Sequence, residues 1–483
     1  MKLNELLQNV DVIAINADIN MEISGVAYDS RKVAPGNVFV AINGIVSDGN
    51  RFIPMAVENG ASAVASAVRS SAEIPYILVR NDRLALAQMA ANFYGHPVKS
   101  MKLIGVTGTN GKTSVTLLLK HVLERVLGVR VGLIGTMSNM IGSETIPAEH
   151  TTPESLDMQE LFAKMYFSGC QYVIMEVSSH AIALERIGGI EFDVAAFTNL
   201  TEDHLDFHKT MEAYCDTKAE LFRRCRAAVA NADDFWFKRI CASAAVPMFT
   251  ISAKTKAELY ASDTQFFSNG VCFTAVSGEQ QAQVKLQIPG KFAVYNALTA
   301  LGIAMNLGIS LPDAAEALAD ACGVKGRVEV VPAADMPYTI LIDYAHTPDG
   351  LENVLSSVKD FCEGRLIVVF GCGGDRDPIK RPIMGRIGTE IADIAIITSD
   401  NPRTEESMAI IADILKGIDP ARKNYEVIEN RCSAIHHAMD IAQKNDIIVL
   451  AGKGHENYQE LNGVKYHLDE REVVAAYLEK MRR

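Results

Sequence analysis

The sequence has no Cys-x-x-Cys pair among its nine cysteines, and an odd number spread from Cys170 to Cys432 argues against a disulfide framework. Small core residues in a reducing compartment are the expectation. Basic residues are not in excess: 46 Lys+Arg stand against 59 Asp+Glu, a formal charge of −13. That balance disfavours nonspecific attraction to nucleic acid or anionic lipid, yet small anionic substrates can still be held by local basic residues. Nowhere do about eighteen apolar residues run together, as a membrane span requires. Glu5 also interrupts MKLNELLQNV where a signal peptide needs an apolar segment. A cytoplasmic protein with no membrane and no nucleic-acid partner is therefore expected. Low-complexity stretches, internal repeats and long linkers are missing too, so the 48% hydrophobic, 22% charged chain reads as globular. Its 483 residues exceed what one core organises and imply roughly three domains.

What is present is a recurrence of short apolar runs separated by helical patterns. KLIGVT (102–107), YVIMEV (172–177), DVAAFT (193–198), YTILIDY (338–344), RLIVVFG (365–371), IADIAIIT (391–398) and DIIVLAG (446–452) read as buried parallel strands with helical crossovers. The implied fold class is α/β, with these runs divided between two sheets. The first hundred residues differ. VAYDSRKVAPGNVFVAI suggests short strands around a Pro-Gly turn, and the helices after it break near His96-Pro97. Boundaries near residues 99 and 332 give domains 1–99, 100–332 and 333–483.

GVTGTNGKTS (105–114) follows a strand and precedes the helical pattern SVTLLLKHVLERVL, the context a phosphate-binding loop requires. Glycines let backbone N–H groups curl around an anion, and the helix N-terminus adds its dipole. Lys112 would reach the β- and γ-phosphates, and the Thr113 hydroxyl would bind Mg²⁺. The spacing departs from G-x-x-x-x-G-K-[ST], since Val106 stands five before Gly111 with Gly105 and Gly108 on either side. A functionless Gly-rich turn is the alternative.

Glu176 ends an apolar strand where the second strand of a phosphate-loop protein offers a carboxylate to the metal. A plain surface glutamate is the other reading. Ser178 is no hydrolase nucleophile, because Glu176 and His180 occupy the positions where a G-x-S-x-G elbow needs glycines. In TNLTEDHLDFH, His204 and His208 are four apart, but Leu205 stands where H-E-x-x-H has its glutamate and the polar crowding suits a loop. His204 as a magnesium or substrate contact and His208 as a solvated residue are preferred to zinc. SDNPRTEE (399–406) sets Arg403 directly behind Pro402, whose fixed φ gives the turn a defined direction. Thr404, Glu405 and Glu406 read as the cap and first-turn charge of the next helix.

GTNGKT, EVSSH, TNLTEDHLDFH with YCDTKAELF, GKFAVYNALTA, GRVE, DYAHTPD, GCGGDRD, DNPR and AGKGHE occur in the order and spacing of the Mur ligases. By these motifs the chain resembles that family of ATP-dependent amino acid ligases of peptidoglycan precursor synthesis, and most of all its branch that adds the third residue of the peptide. The resemblance implies three domains: an N-terminal α/β domain for the UDP end, a central P-loop ATPase-type parallel sheet, and a C-terminal Rossmann-like domain that closes over the site. It implies ligation of meso-2,6-diaminopimelate to the D-Glu γ-carboxylate of UDP-N-acetylmuramoyl-L-alanyl-D-glutamate through an acyl phosphate, with ATP and Mg²⁺. A monomer acting on small molecules is expected.

By the same resemblance, Gly108, Thr109, Asn110, Gly111, Lys112, Thr113, Ser114, Asn296, Arg327 and Asp343 would contact ATP. Asp29, Ser30, Arg31 and SDGNRF (47–52) would face the uridine diphosphate, and Thr151, Thr152, Ser178 and Arg186 the muramoyl dipeptide. Lys112, Glu176, His204 and Lys218 would be catalytic. Thr113, Glu176, His204 and Lys218, the last carbamoylated to N6-carboxylysine, would hold the metal. Arg376, Asp400, Asn401, Pro402, Arg403, Gly452 and Glu456 would bind diaminopimelate, with Arg403 gripping its distal carboxylate and Glu456 its ammonium. Departures from the family pattern are Asn50 for a frequent His, Ala293 for Asn and Lys325 for Pro. The rivals are a lysine-adding or relaxed-specificity ligase and a non-catalytic ATP-binding switch.

Overall fold

The computed structural model describes residues 1–482 apart from 45–46, 70–72, 268, 322 and 334–335. Eight cysteines are free thiols, and Cys322 lies outside the described residues. The chain forms two compact units, one of residues 1–260 with 277–280 and 296–314, the other of 261–276, 281–295 and 315–483.

In the first unit, residues 12–79 build a five-stranded sheet ordered Val12–Asn16, Tyr76–Val79, Ala63–Ser66, Asn37–Val40, Gly25–Ala27. It is parallel except at its outer Val12–Asn16 pair. Helix Asp82–Phe93 follows, and the break expected near Pro97 is made by His96 in a left-handed conformation, φ 55°. Beyond it, six parallel strands run in the order Met248–Ser252, Cys225–Asn231, Phe192–Phe197, Lys102–Thr107, Cys170–Glu176, Arg130–Ile134. KLIGVT is buried from Leu103 to Thr107, as expected of a strand covered on both faces. Helix Lys112–Leu127 lays Val115, Leu118, Leu119, Val122 and Leu123 against the sheet, and Gly128, φ 64°, terminates it. Register matters here: Glu176 pairs with Val106, and Phe197 with Thr107. The phosphate loop, the Glu176 strand end and the TNLT segment therefore emerge side by side at the carboxyl edge, where open α/β sheets bind ligands.

The second unit holds a six-stranded sheet ordered Glu329–Val331, Thr339–Asp343, Ile447–Ala451, Leu366–Phe370, Ile394–Ile397, Tyr425–Val427. All pairs are parallel except the first. A hairpin, Tyr458–Leu461 with Val464–His467, turns on Asn462 and Gly463, both at positive φ as a two-residue Asn-Gly loop requires. Arg431 and Glu470 form an ion pair with both side chains fully buried, Arg431 Nε to Glu470 Oε1 at 2.8 Å, and Arg431 Nη2 also donates to Ala451 O at 2.8 Å. Removing one partner strands the other charge in the core. Arg431→Ala is expected to lose about 3–5 kcal/mol of stability in urea unfolding. Among the described residues, no helix is long and apolar enough to cross a membrane.

Candidate active site

The loop between Thr107 and Lys112 is clamped by the segment after Phe197. Thr109 N donates to Asn199 O at 2.8 Å, Asn110 N to Asn199 Oδ1 at 3.0 Å, and Thr198 Oγ1 to Asn110 O at 2.6 Å. Such close approach leaves no room for side chains. A Cβ on Gly108 would stand 1.9 Å from Thr198 Oγ1, and one on Gly111, φ 86°, 2.5 Å from Asn296 Oδ1. The structure thus brings the predicted Asn296, distant in sequence, beside the loop. Lys112 Nζ donates to Gly108 O at 2.9 Å and Thr109 O at 2.8 Å, which holds the ammonium at the loop.

Thr113 and Glu176, both predicted metal ligands, are joined: Thr113 Oγ1 donates to Glu176 Oε1 at 2.9 Å. Glu176 is 1% exposed, so the surface-glutamate alternative is excluded. Its carboxylate also accepts from Thr136 N at 3.0 Å and Thr136 Oγ1 at 2.9 Å. These donors are hydroxyls and an amide, not cations. The sequence reading missed Thr136, which no motif marks. Thr136 Oγ1 also meets Thr151 Oγ1 at 3.0 Å, and Thr152 Oγ1 donates to Glu176 O at 2.8 Å while accepting from Ser178 N at 3.0 Å. Arg186 donates to Thr152 O at 3.0 Å and to buried Glu154 at 2.7 Å. Glu154 pairs with Arg83 as well, at 3.4 Å, two further residues the sequence reading did not find. All four predicted dipeptide contacts therefore gather at the end of one strand.

Lys218 is 1% exposed; its Nζ donates to Gly108 O at 3.0 Å and lies 4.6 Å from the Tyr214 ring centroid. Burial first, and the neighbouring Lys112 charge second, push its pKa well below that of an ordinary lysine. Its side chain is withdrawn from solvent. His204, φ 54° and about half exposed, lies with its ring 4.8 Å from His180 and 6.3 Å from Tyr214. Among the described residues, no three His, Cys, Asp or Glu side chains are grouped to hold a metal.

His208 is not solvated. It is 7% exposed, closes the short helix Leu205–His208, and its Nε2 meets Ser179 Oγ at 2.9 Å. Burial, then the charges of His180 and Lys218, hold its pKa at about 4. The unfolded chain keeps an ordinary histidine near pH 6.5, so between about pH 6.5 and 4 it binds a proton that the fold excludes. Stability should fall as pH falls through that window. His208→Asn should flatten this part of the dependence, read from urea midpoints at several pH values.

In the first hundred residues, Asp29 caps the short helix Ser30–Lys32 and pairs with Arg31 at 2.7 Å, while Ser30 is buried. Asp48 caps Gly49–Phe52, and Asn50 bonds to Asp48 at 2.7 Å and accepts from Ser66 Oγ at 2.7 Å. Asn50 thus has a structural place of its own.

The remaining predicted residues lie in the second unit. Asp343 is buried and accepts from Val328 N and Ala345 N, each at 2.8 Å. Burial raises its pKa against the lowering effect of Arg327. Arg327 lies 5.2 Å from the Tyr344 ring centroid. Lys325 pairs with Asp469 at 3.7 Å, and Ala293 is buried.

Asp400 and Asn401 are buried at the end of Ile394–Ile397, and Asn401 Nδ2 donates to Glu456 Oε2 at 2.8 Å. Arg403 takes a left-handed φ of 53°, uncommon for a side chain of its size. The hairpin holds it there: Arg403 N donates to Glu460 O at 3.0 Å and Arg403 O accepts from Asn462 N at 2.6 Å. Stiffness thus comes from this pairing as well as from Pro402. Its guanidinium donates to Gly374 O at 2.7 Å and lies 3.5 Å from Glu460 Oε2. A Cβ on Gly373 would stand 2.9 Å from Arg403 Nη1 and 3.8 Å from Arg376 Cγ, which sets the two arginines around one glycine turn. The expected cap is corrected. The helix begins only at Ser407, with Glu406 making no side-chain cap bond. Thr404 Oγ1 instead donates to Asp375 at 2.6 Å, and Glu405 accepts from Arg381 at 2.8 Å. Gly452, φ 114°, lies beside Asp400: a Cβ there would be 2.7 Å from Oδ2.

Three family profiles match along the chain: Mur ligase family, catalytic domain, over 22–94; Mur ligase middle domain over 106–304; and Mur ligase, glutamate ligase domain, over 326–454. A UDP-N-acetylmuramoyl-L-alanyl-D-glutamate--2,6-diaminopimelate ligase of Clostridium tetani is 46% identical over 100% of both chains. A ligase of the same name from Listeria monocytogenes is 42% identical over 99% of each. A solved structure of a protein with that name superposes with a TM-score of 0.77 at 33% identity, covering 100% of this chain and 99% of that one. A MurF ligase from Thermotoga maritima in complex with ADP shares the fold, with a TM-score of 0.62 at 19% identity over 94% of this chain and 97% of that one. The chain belongs to the Mur ligase family.

Proposed function

We propose that this enzyme adds meso-2,6-diaminopimelate to the D-Glu γ-carboxylate of UDP-N-acetylmuramoyl-L-alanyl-D-glutamate at the expense of ATP, in the cytoplasm and as a monomer acting on small molecules. Full-length relatives carry that activity in their names, and the observation that carries the reading here is buried Glu176 bonded to Thr113 of the phosphate loop.

A carboxylate does not form an amide unaided, because oxide is a poor leaving group. Phosphoryl transfer from ATP converts that oxygen into phosphate. The γ-carboxylate attacks the terminal phosphorus in line, the resulting acyl phosphate is attacked by the amine, and phosphate departs from the tetrahedral species. Loop 108–114, with Asn296, cradles the nucleotide phosphates, and Lys112 neutralises developing charge. Arg327 and Asp343 are further proposed nucleotide contacts. Thr151, Thr152, Ser178 and Arg186 orient the dipeptide, and Ser30 with its turn receives the uridine diphosphate.

Among the described residues, the buried Glu176 carboxylate is bonded to hydroxyl and amide donors and to no cation, an environment that fits Mg²⁺ chemically. Thr113, Glu176 and His204 would hold the metal, together with Lys218, whose buried amine is low enough in basicity to add CO₂ with loss of a proton and become a carboxylate-like ligand. Bound there, Mg²⁺ would offset the charge crowded between triphosphate and substrate acid.

Purified enzyme with UDP-muramoyl dipeptide and ATP should release phosphate with diaminopimelate far faster than with L-lysine or no amine. Equal rates with both amines defeat the selectivity, and amine-independent or absent release defeats the ligase assignment.

A further inference from the structure

Lys453, in the AGKGHE segment, received no role from the sequence. Its side chain is fully buried, and Nζ lies 3.3 Å from Asp400 Oδ1, 3.0 Å from Asn401 Oδ1 and 3.4 Å from Glu456 Oε2, with the Tyr458 ring centroid at 5.7 Å. A lysine ammonium withdrawn wholly from water persists only where polar partners replace its hydration. These three partners all belong to the proposed diaminopimelate set, so the ammonium is the hub that joins the DNPR turn to Glu456. Its bonds fix the Asn401 amide with oxygen toward Nζ and nitrogen toward Glu456, and the Asn401 and Lys453 bonds to Glu456 both fall on Oε2.

We infer that Lys453 is a positioning residue that sets amine specificity by charge. Its ammonium offsets one of the two carboxylate charges of Asp400 and Glu456, so the cage tolerates a distal end that carries a carboxylate beside its ammonium. Without it the cage gains one negative charge, and the buried Arg431 guanidinium, whose charge also acts on Asp400 and Glu456, is already paired with Glu470 at 2.8 Å. A more anionic cage favours an amine with a distal ammonium alone and disfavours one that adds a carboxylate. The inference rests on the functional reading above.

The test uses the full-length enzyme with UDP-muramoyl dipeptide, ATP and either amine. Lys453→Met should raise the diaminopimelate KM at least about tenfold, leave the ATP KM within about twofold, and lower the kcat/KM ratio of diaminopimelate over lysine at least about tenfold. An unchanged ratio, or parallel rises in both KM values, as from general loosening, overturns the inference. Thermal melting shows whether K453M is folded at the assay temperature. If it is not, Lys453→Arg decides, since it keeps the charge while shifting the donors. It should raise the diaminopimelate KM yet hold the ratio within about threefold of wild type, and a collapsed ratio overturns the inference. Wild-type enzyme without amine-dependent phosphate release defeats the functional reading instead. Calorimetric titration of both amines into wild type and the folded variant then decides by the affinity ratio, and no binding of either amine to wild type overturns the inference too.

Discussion

Glu176→Gln lowers kcat about 10³-fold, some 4 kcal/mol of barrier, while leaving the melting temperature nearly unchanged. The two halves of this expectation have separate causes. Structurally, the amide is a close mimic: Oε1 can still accept from Thr113 Oγ1 and Thr136 N, and an amide nitrogen at the Oε2 position meets Thr136 Oγ1, whose hydroxyl can accept as well as donate. Electrostatically, the change removes the buried negative charge beside the phosphate loop. A glutamate without a cationic partner is costly to bury, and the cost is tolerable if a divalent ion completes the site during turnover. On the proposed reading, loss of the charge would weaken metal binding and charge neutralisation together. Steady-state phosphate release measured against Mg²⁺ concentration checks it: the variant should need far more Mg²⁺ and still not reach the wild-type rate. A variant with ordinary Mg²⁺ dependence and a rate within tenfold of wild type would remove Glu176 from the metal site.

The carboxyl-edge cluster was legible because its parts are local. KLIGVT coincides with strand Lys102–Thr107, and the glycines, lysine and threonine that follow carry their own conformational demands. Strand Cys170–Glu176 was found from its apolar run, and its register against Lys102–Thr107 then sets Glu176 beside the loop without further information. Partners made by long-range closure were not legible. Thr136 follows the Arg130–Ile134 strand and looks like any turn threonine, and Glu154 shows its place only once Arg83 and Arg186 converge on it. Strands Leu259–Phe267, Gly270–Ser277 and Gln280–Leu286 mix apolar and polar residues too evenly to stand out as runs. Around His208 and Thr404 the polar character was read as exposure or capping, whereas tertiary hydrogen bonds claim both side chains. Lys453 failed for the same reason: a lysine between glycines signals solvent until Asp400, Asn401 and Glu456 are seen around it.

Under the proposed assignment, Arg403→Ala is expected to raise the diaminopimelate KM about 10²- to 10⁴-fold, because two charge-assisted hydrogen bonds of roughly 1.5–3 kcal/mol each to the distal carboxylate would be lost. The ATP KM should change by less than about threefold, since the proposed nucleotide contacts are other residues. Folding should barely respond. Alanine keeps the strained left-handed φ, and the backbone bonds that hold the turn, Arg403 N to Glu460 O and Asn462 N to Arg403 O, do not involve the side chain. Arg403→Lys separates charge from shape: a point ammonium in place of a planar fork should recover only part of the loss. The position of the guanidinium sharpens the expectation. Gly374 O fixes one end at 2.7 Å, and Glu460 faces Nε at the looser distance of 3.5 Å, so the group is aimed yet not saturated. A distal carboxylate can take up the remaining donors at little cost in ordering, whereas a lysine substrate offers them nothing. Initial-rate kinetics with each substrate varied in turn measure the split. Comparable losses for ATP and diaminopimelate would mean that Arg403 supports the turn rather than reads the amine.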